Sequence, residues 1–545
     1  MIKIILFTFI SNLFFYSYGN LIKLNYFSNK IENINDRSIL GCIYISFIAL
    51  VANFFIPLSA IFNTFVLVFG LGIFFLLRFK KLRKKEFFYL LISTLIASSL
   101  IIYSNINRPD GGLYHLPYIS ILNEHKIIFG INNVHFRFGA TSIIQYFSAI
   151  NNNIFFKDYG IIIPLASIAS FFIIYFFNKV YKIFKSKKNI NLENIFCFFV
   201  IIFISYKINR YSSFGNDAIA HLSFFYLISK ILSNEKISLK FISLISVFTF
   251  LNKSTMIITL LIPLIFLIKN FKIKNLKLFY SLASFFLIFW LLKNIIISGC
   301  AIYPLKYTCI EKLNWTDISE VNSESMSGEA WSKDWPNRSD KNLSMKEYIS
   351  NFNWVNTWIN NHGIVLIKKI FPYFIFILFL NLILISPKNQ NNKKIIIKRN
   401  DNLKILTIIS ILGLIIFLLK FPLFRYGYSY LITSLILIII YISKEYDLRR
   451  FILISKYTFF LCLIIFSGKQ IVRYVKNYDS IFIWPKIYSF ETNKKINSER
   501  ISLDKNFNIY ISKNVCMYSN SPCTNYGLKG LDLKKKYNYY FLNLK

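Results

Sequence analysis

Acidic residues are scarce in this chain: 25 Asp and Glu stand against 64 Lys and Arg. Proline and glycine are also few, at 12 and 18 in 545 residues, so a loop-rich or low-complexity chain is excluded. No cysteine pair has a zinc-site spacing, and no sequence repeat recurs at a fixed period. The apolar runs are continuous and not alternating, which excludes a transmembrane β-barrel. A small-x-small cleavage site after the first apolar run, MIKIILFTFISNLFFYSYG, is also lacking, so an uncleaved first helix is expected.

What is present is apolar surface. Hydrophobic residues make up 55% of the chain and aromatics 19%. The mean hydropathy is +0.49. A soluble fold of this length could not hide that much apolar area. Many runs reach the roughly 17–25 residues that cross a bilayer. The expected class is therefore an all-α polytopic transmembrane helical bundle of about 13–14 helices, with a lipid bilayer as its solvent.

The net charge of +39 does not signal nucleic acid. Lys and Arg sit in short loops between apolar runs, as the positive-inside rule predicts. The strongest cluster, RFKKLRKKE at 78–86, sets the cytoplasmic side. Alternation then places NKVYKIFKSKK, KNFKIKNLK, PKNQNNKKIIIKRN and KEYDLRR on that same side. The expected organisation is transmembrane helices over 1–104, a first large external loop at 105–158 and further helices over 159–297. An external Trp-rich loop at 298–363, helices over 364–467 and an external tail at 468–545 complete it. Within the first loop, 138–150 is too short to span and is expected as an amphipathic interfacial helix.

The unusual residues collect on the external side. Asp110, Tyr114, His115, His135 and Arg137 lie in the polar stretch 108–142. Asp217, Lys253, Lys293, Tyr303, Arg425 and Tyr426 fall at external turns or helix ends. Ionisable residues near membrane depth are expensive and usually mark a site. Each has a plainer reading: a turn at Asp110 between proline and glycines, headgroup contact for Arg137, an interfacial aromatic anchor at Tyr114 and His115. Their shared side suggests one cleft. Cys300 and Cys309 share that side, and so do Cys516 and Cys523. The latter two, seven apart in an oxidising compartment, form either a loop clip or two free thiols.

The segments PDGGLYHLPYI, IFGINNVHFRFGATS, YSSFGNDAIA, NKS, WLLKNIIISGCAIYP, FPLFRYG and CMYSNSPCTNYGLKG occur in this order. In order and spacing they resemble an uncharacterised family of bacterial polytopic membrane proteins. That family carries D-x-x-L-Y-H, G-x-x-N-x-H-x-R-x-G, S-G-x-x-x-Y-P, P-x-x-R-F and a terminal P-C-T. Lys293 stands where arginine is usual, and Tyr426 where phenylalanine is usual. The family is in turn similar in layout to the GT-C glycosyltransferases, which take a sugar from a polyprenyl-phosphate carrier. They keep an acidic catalytic residue in the first large external loop, the place that Asp110 occupies.

The resemblance implies an integral membrane, glycosyltransferase-like protein of a bacterial inner membrane, with its active face periplasmic or extracellular. The implied partners are a polyprenyl-phosphate-linked sugar and a cell-envelope glycan or lipid acceptor. Asp110 would be the base, and Arg425, Lys293 and Lys253 the cations for the leaving phosphate. His115 and His135 would bind the donor, assist proton transfer, or join Asp110 around a divalent metal. Asp217 would orient the acceptor or pair with Arg137. Trp315, Trp331 and Trp335 would stack on sugar rings or, equally, anchor the loop at the membrane interface. Two alternatives stay open: an enzyme like the O-antigen polymerases, and a transporter or flippase of lipid-linked glycans.

Overall fold

A computed structural model describes residues 2–23, 33–77, 83–102, 110–186, 190–207, 217–233, 238–269, 281–385, 393–397, 400–476, 498–504, 506–528 and 530–544. Of the basic loops, 78–82, 187–189, 270–280, 386–392 and 398–399 lie outside the described residues, as do most of the turn 209–217 and the stretch 477–497.

The protein is mostly helical. In chain order come α1 (Ile2–Ile22), α2 (Ile34–Phe55), α3 (Ala60–Leu77), α4 (Lys84–Ile102), α5 (Leu116–Glu124), α6 (Ile143–Ala149) and α7 (Ile163–Ser186). Then follow α8 (Leu192–Lys207), α9 (Asp217–Ile231), α10 (Leu239–Asn252), α11 (Leu261–Lys269) and α12 (Leu282–Ser298). The loop after α12 carries α13 (Ile318–Ser332), α14 (Met345–Ile349) and α15 (Val355–Trp358). The helical part ends with α16 (Ile364–Leu384), α17 (Asp401–Lys420), α18 (Phe424–Ile442) and α19 (Leu448–Lys476).

Among the described residues the long apolar runs are helical, and seven helices are long and apolar enough to cross a membrane. These lie in α1, α2, α7, α16, α17, α18 and α19. The expectation of 13–14 crossings exceeds that number for a geometric reason. At about 1.5 Å per residue, a helix such as α10, with 14 residues, falls short of the roughly 30 Å hydrocarbon core.

Packing sorts the helices. α8 and α9 are buried almost all round. α3, α16, α17 and α19 expose rows of large apolar residues, among them Phe65, Phe69, Phe371, Phe379, Ile408, Leu412, Phe460 and Ile464. Two glycines bring α1 and α2 into backbone contact. A Cβ on Gly19 would lie 1.7 Å from the Arg37 carbonyl oxygen, and one on Gly41 would lie 1.8 Å from that of Phe15. Small residues of this kind let membrane helices approach closely.

The bundle has two unlike ends. One holds buried ion pairs: Arg37–Glu86 at 3.0 Å, Lys230–Asp36 at 2.6 Å and Lys179–Glu193 at 2.6 Å. It also carries the surface pair Lys269–Asp401 and the two short strands β1 (Lys394–Ile396) and β2 (Glu445–Asp447), which pair antiparallel. The other end gathers the polar segments. Gly130 donates to the Ile296 carbonyl at 2.9 Å, and the Asn133 amide group donates to Trp315 at 3.1 Å and to Leu542 at 3.0 Å. Segments that alternation assigns to one side therefore touch one another.

Two local expectations change. The stretch 138–150 forms α6, which is buried along its whole length and does not lie open on a surface. Gln145 closes a capping box with Ser142 and contacts His115 Nδ1 at 3.1 Å, and the Tyr146 hydroxyl lies 3.0 Å from that of Tyr118. The tail, for which no strands were expected, is a small β-module. β3 (Ser498–Asp504) pairs antiparallel with β4 (Phe507–Ser512), which runs parallel to β5 (Cys523–Thr524). β6 (Leu531–Lys536) and β7 (Tyr539–Leu544) form a hairpin. Its turn residues Tyr537 and Asn538 both have positive φ, as two-residue hairpin turns require.

Cys516 and Cys523 are disulfide-bonded, and so are Cys300 and Cys309. Cys42, Cys197 and Cys462 are free and buried. Thiol titration of the denatured protein is expected to count three thiols before reduction and seven after it. Seven without reductant would contradict both bridges.

Candidate functional site

The first polar loop enters the structure at Asp110, directly before a π-turn over Gly111–His115 that runs into α5. Gly112 leaves room for the tail: its carbonyl accepts the Met517 N–H at 2.8 Å, and a Cβ there would meet the Met517 sulfur. Arg425 stands in the first turn of α18. Its Nη1 donates to Asp110 Oδ2 at 3.1 Å, and its Nη2 to the Tyr426 hydroxyl at 3.1 Å. Both members of the Asp110–Arg425 pair are about half exposed. An ion pair this open is held weakly and can be exchanged for a ligand.

Beside it lies a second pair, with the lysine buried and the carboxylate partly exposed. Lys253 caps the C-terminus of α10, and its Nζ donates to Asp217 Oδ1 in a short contact. The same Nζ stands 4.1 Å above the Tyr426 ring and 3.4 Å from the Arg425 carbonyl oxygen. Asp217 is therefore the partner of Lys253, and no pair with Arg137 forms.

His221, one turn along α9 from Asp217, is fully buried and was missed in the sequence. Its Nε2 lies 2.9 Å from the Arg425 carbonyl oxygen and its Nδ1 2.7 Å from Ser429 Oγ. A carbonyl can only accept, so Nε2 carries the proton and Nδ1 accepts from the hydroxyl. Its ring packs on Tyr428 at 3.8 Å. The signal available in advance was its place four residues after Asp217, which puts both on one helix face.

Tyr114, His115, His135 and Arg137 form the opposite wall. The Tyr114 ring lies 4.4 Å from that of His115 and 6.5 Å from that of His135. Burial pushes the Tyr114 phenol up, leaving it protonated. Burial lowers His115 from 6.5 to about 4, against the attraction of Asp110. Burial also lowers His135 from 6.5 to about 4. His135 Nδ1 accepts the backbone N–H of Arg137 at 3.1 Å. The Arg137 guanidinium lies 5.0 Å from the Phe136 ring and 6.0 Å from Tyr114.

A pH dependence follows. Both histidines are neutral in the folded protein but gain protons below pH 6.5 once unfolded. The unfolded state then binds more protons, so stability falls as the pH drops from 6.5 toward 4. Melting temperatures at pH 7.5 and pH 5 should show this loss, and His115→Gln should reduce it. A variant as acid-sensitive as the native protein would contradict the assignment.

Lys293 lies apart from this group. Lys293 is fully buried in α12, with its Nζ bonded to Thr141 Oγ1 and 3.5 Å above the Trp290 ring. It does not join the Asp110–Arg425 group, because its position on α12 turns it into the aromatic core beside Tyr146. Tyr303 is buried against Gly139, below the Arg137 turn. Of the tryptophans, Trp315 donates to the Ile295 carbonyl at 3.1 Å and packs on Phe129. Trp335 lies under the Arg338 guanidinium at 3.7 Å. Only Trp331 is widely exposed among these three. The loop that carries them is tied over the site: Lys420 pairs with Glu329 at 3.1 Å, and Trp358 Nε1 donates to the Pro422 carbonyl at 2.8 Å.

Among the described residues, no group of three or more His, Cys, Asp or Glu side chains is placed to hold a metal ion. The trio of Asp110, His115 and His135 is not assembled as a donor set.

A family model described as "Domain of unknown function (DUF8201)" matches residues 1–432, and the chain belongs to that family. The match takes in the N-terminal helices and every site segment except the tail. No curated protein and no solved structure matches the chain.

Proposed function

We propose that this member of the family is an integral membrane glycosyltransferase with a GT-C-like plan. It moves a sugar from a polyprenyl-phosphate-linked donor to a cell-envelope glycan or lipid acceptor. The site faces the outside of a bacterial inner membrane. One observation carries the reading: an open carboxylate–guanidinium pair, Asp110–Arg425, joined from segments 315 residues apart. It sits where the polar segments meet at one end of an apolar bundle.

The chemistry needs a base and a cation within reach of one another. The acceptor hydroxyl gives its proton to the Asp110 carboxylate as its oxygen bonds to the anomeric carbon. The bond from that carbon to the phosphate oxygen breaks, and its electron pair leaves with the polyprenyl phosphate. The donor phosphate competes for Arg425, which frees the carboxylate for the acceptor. Lys253 and His221 hold the Arg425 backbone from behind. The loop over α13–α15, tied to Lys420 and Pro422 near Arg425, would act as the lid that keeps water from the donor.

The test is genetic. Removing the chain from a strain with a scorable surface glycan should change that glycan, and re-expression should restore it. An unaltered glycan profile across the envelope would overturn the reading.

A further inference from the structure

Four cations were expected to serve this site, and the structure separates them by what each already holds. Arg425 is paired with Asp110, Lys253 with Asp217, and Lys293 is buried among aromatic rings. Arg137 is different. Its side chain is exposed, and among the described residues its guanidinium has no hydrogen bond and no ion pair.

It is nevertheless held in place. Its backbone N–H is fixed by His135 Nδ1 within a tight 3-10 turn over Phe136–Phe138. The His135 ring is in turn packed by Phe138 at 5.1 Å and by Tyr526 of the tail at 4.9 Å. The guanidinium rests near the rings of Phe136 and Tyr114, contacts that leave its N–H edge unused. A planar fork, fixed at its base and unpaired at its edge, suits bidentate binding of an oxyanion. The carboxylate facing it from α13 is Glu324, which burial pushes up against the attraction of Arg137, and it makes no ion pair with the guanidinium among the described residues.

We infer that Arg137 is a second oxyanion-binding residue of this protein, beside Arg425. Its ligand is a substrate group with two coplanar oxygens: the phosphate of a lipid-carried donor or the carboxylate of an acidic sugar. The inference deepens the transferase reading and rests on it for the identity of the substrate. The binding itself is measured without any transfer.

The full chain in nanodiscs would be titrated with inorganic pyrophosphate and, separately, with glucuronate. At least one probe should bind the native protein. Arg137→Gln, which loses both charge and fork, should weaken that binding well beyond tenfold. Arg137→Lys, which keeps the charge and loses the fork, should weaken it about tenfold or more. Both variants should melt as the native protein does. Pyrophosphate alone responding to Arg137 assigns the phosphate; glucuronate alone assigns the carboxylate. Binding by Arg137→Gln at native affinity, or no binding of either probe by the native protein, overturns the inference. Arg137-dependent binding in a protein that transfers no sugar would leave the inference standing and sink the transferase reading.

Discussion

Asp110→Asn is expected to lower sugar transfer by about 10²–10⁴-fold, the usual contribution of a positioned general base. Asparagine keeps the size of the side chain and one oxygen toward Arg425, but it cannot take the acceptor proton. The stability cost should be small. Asp110 and Arg425 are each about half exposed, so the pair is screened by solvent and contributes of order 0–1 kcal/mol. Rate and stability thus separate: initial rates should collapse while the melting temperature stays within a few degrees. A melting temperature that falls along with the rate would make Asp110 a structural residue.

Glu86→Gln should have the opposite profile. Glu86 accepts from Arg37 Nη2 at 3.0 Å and from the Tyr16 hydroxyl at 2.8 Å. Arg37 Nη1 in turn donates to Tyr16 at 3.0 Å and to Asn20 at 3.0 Å. All four residues are buried where α1, α2 and α4 meet. The variant takes the Glu86 carboxylate away from the buried Arg37 charge. Breaking one side of a buried pair costs about 3–5 kcal/mol, and nearby Asp36 is already taken by Lys230. Replacing both partners with apolar residues, as in Arg37→Met with Glu86→Met, should recover much of the loss, because no unpaired charge remains. Unfolding of the purified protein in detergent, followed for the single and the double variant, checks this. A single variant as stable as the native protein would contradict the network.

The helices were legible because a continuous apolar run has few alternatives in a bilayer. The polar stretch 108–142 stood out as a candidate site because nothing in anchoring calls for Asp110, His115 or Arg137 there. The pairings were not legible. Asp110 meets Arg425 only through the fold of the helices between them, and no local rule links residues so far apart. Lys253 and Lys293 look alike in sequence, each at an apolar helix end, yet one meets a carboxylate and the other a tryptophan face. His221 was hidden inside an apolar helix, where a histidine reads as packing. The stretch 138–150 looked interfacial because it is moderately apolar and too short to span; the Gln145–His115 contact inside the bundle crosses 30 residues. The tail strands are short and mixed in polarity, so their alternation was too weak to read.

The most direct test is reconstitution. The purified chain in nanodiscs would receive a panel of polyprenyl-phosphate sugars labelled in the sugar, together with cell-envelope glycans and lipids as acceptors. The account predicts that label passes to an acceptor with the native protein and stays on the carrier with Asp110→Asn. Equal transfer by both proteins, or no transfer from any donor by the native protein, would contradict it.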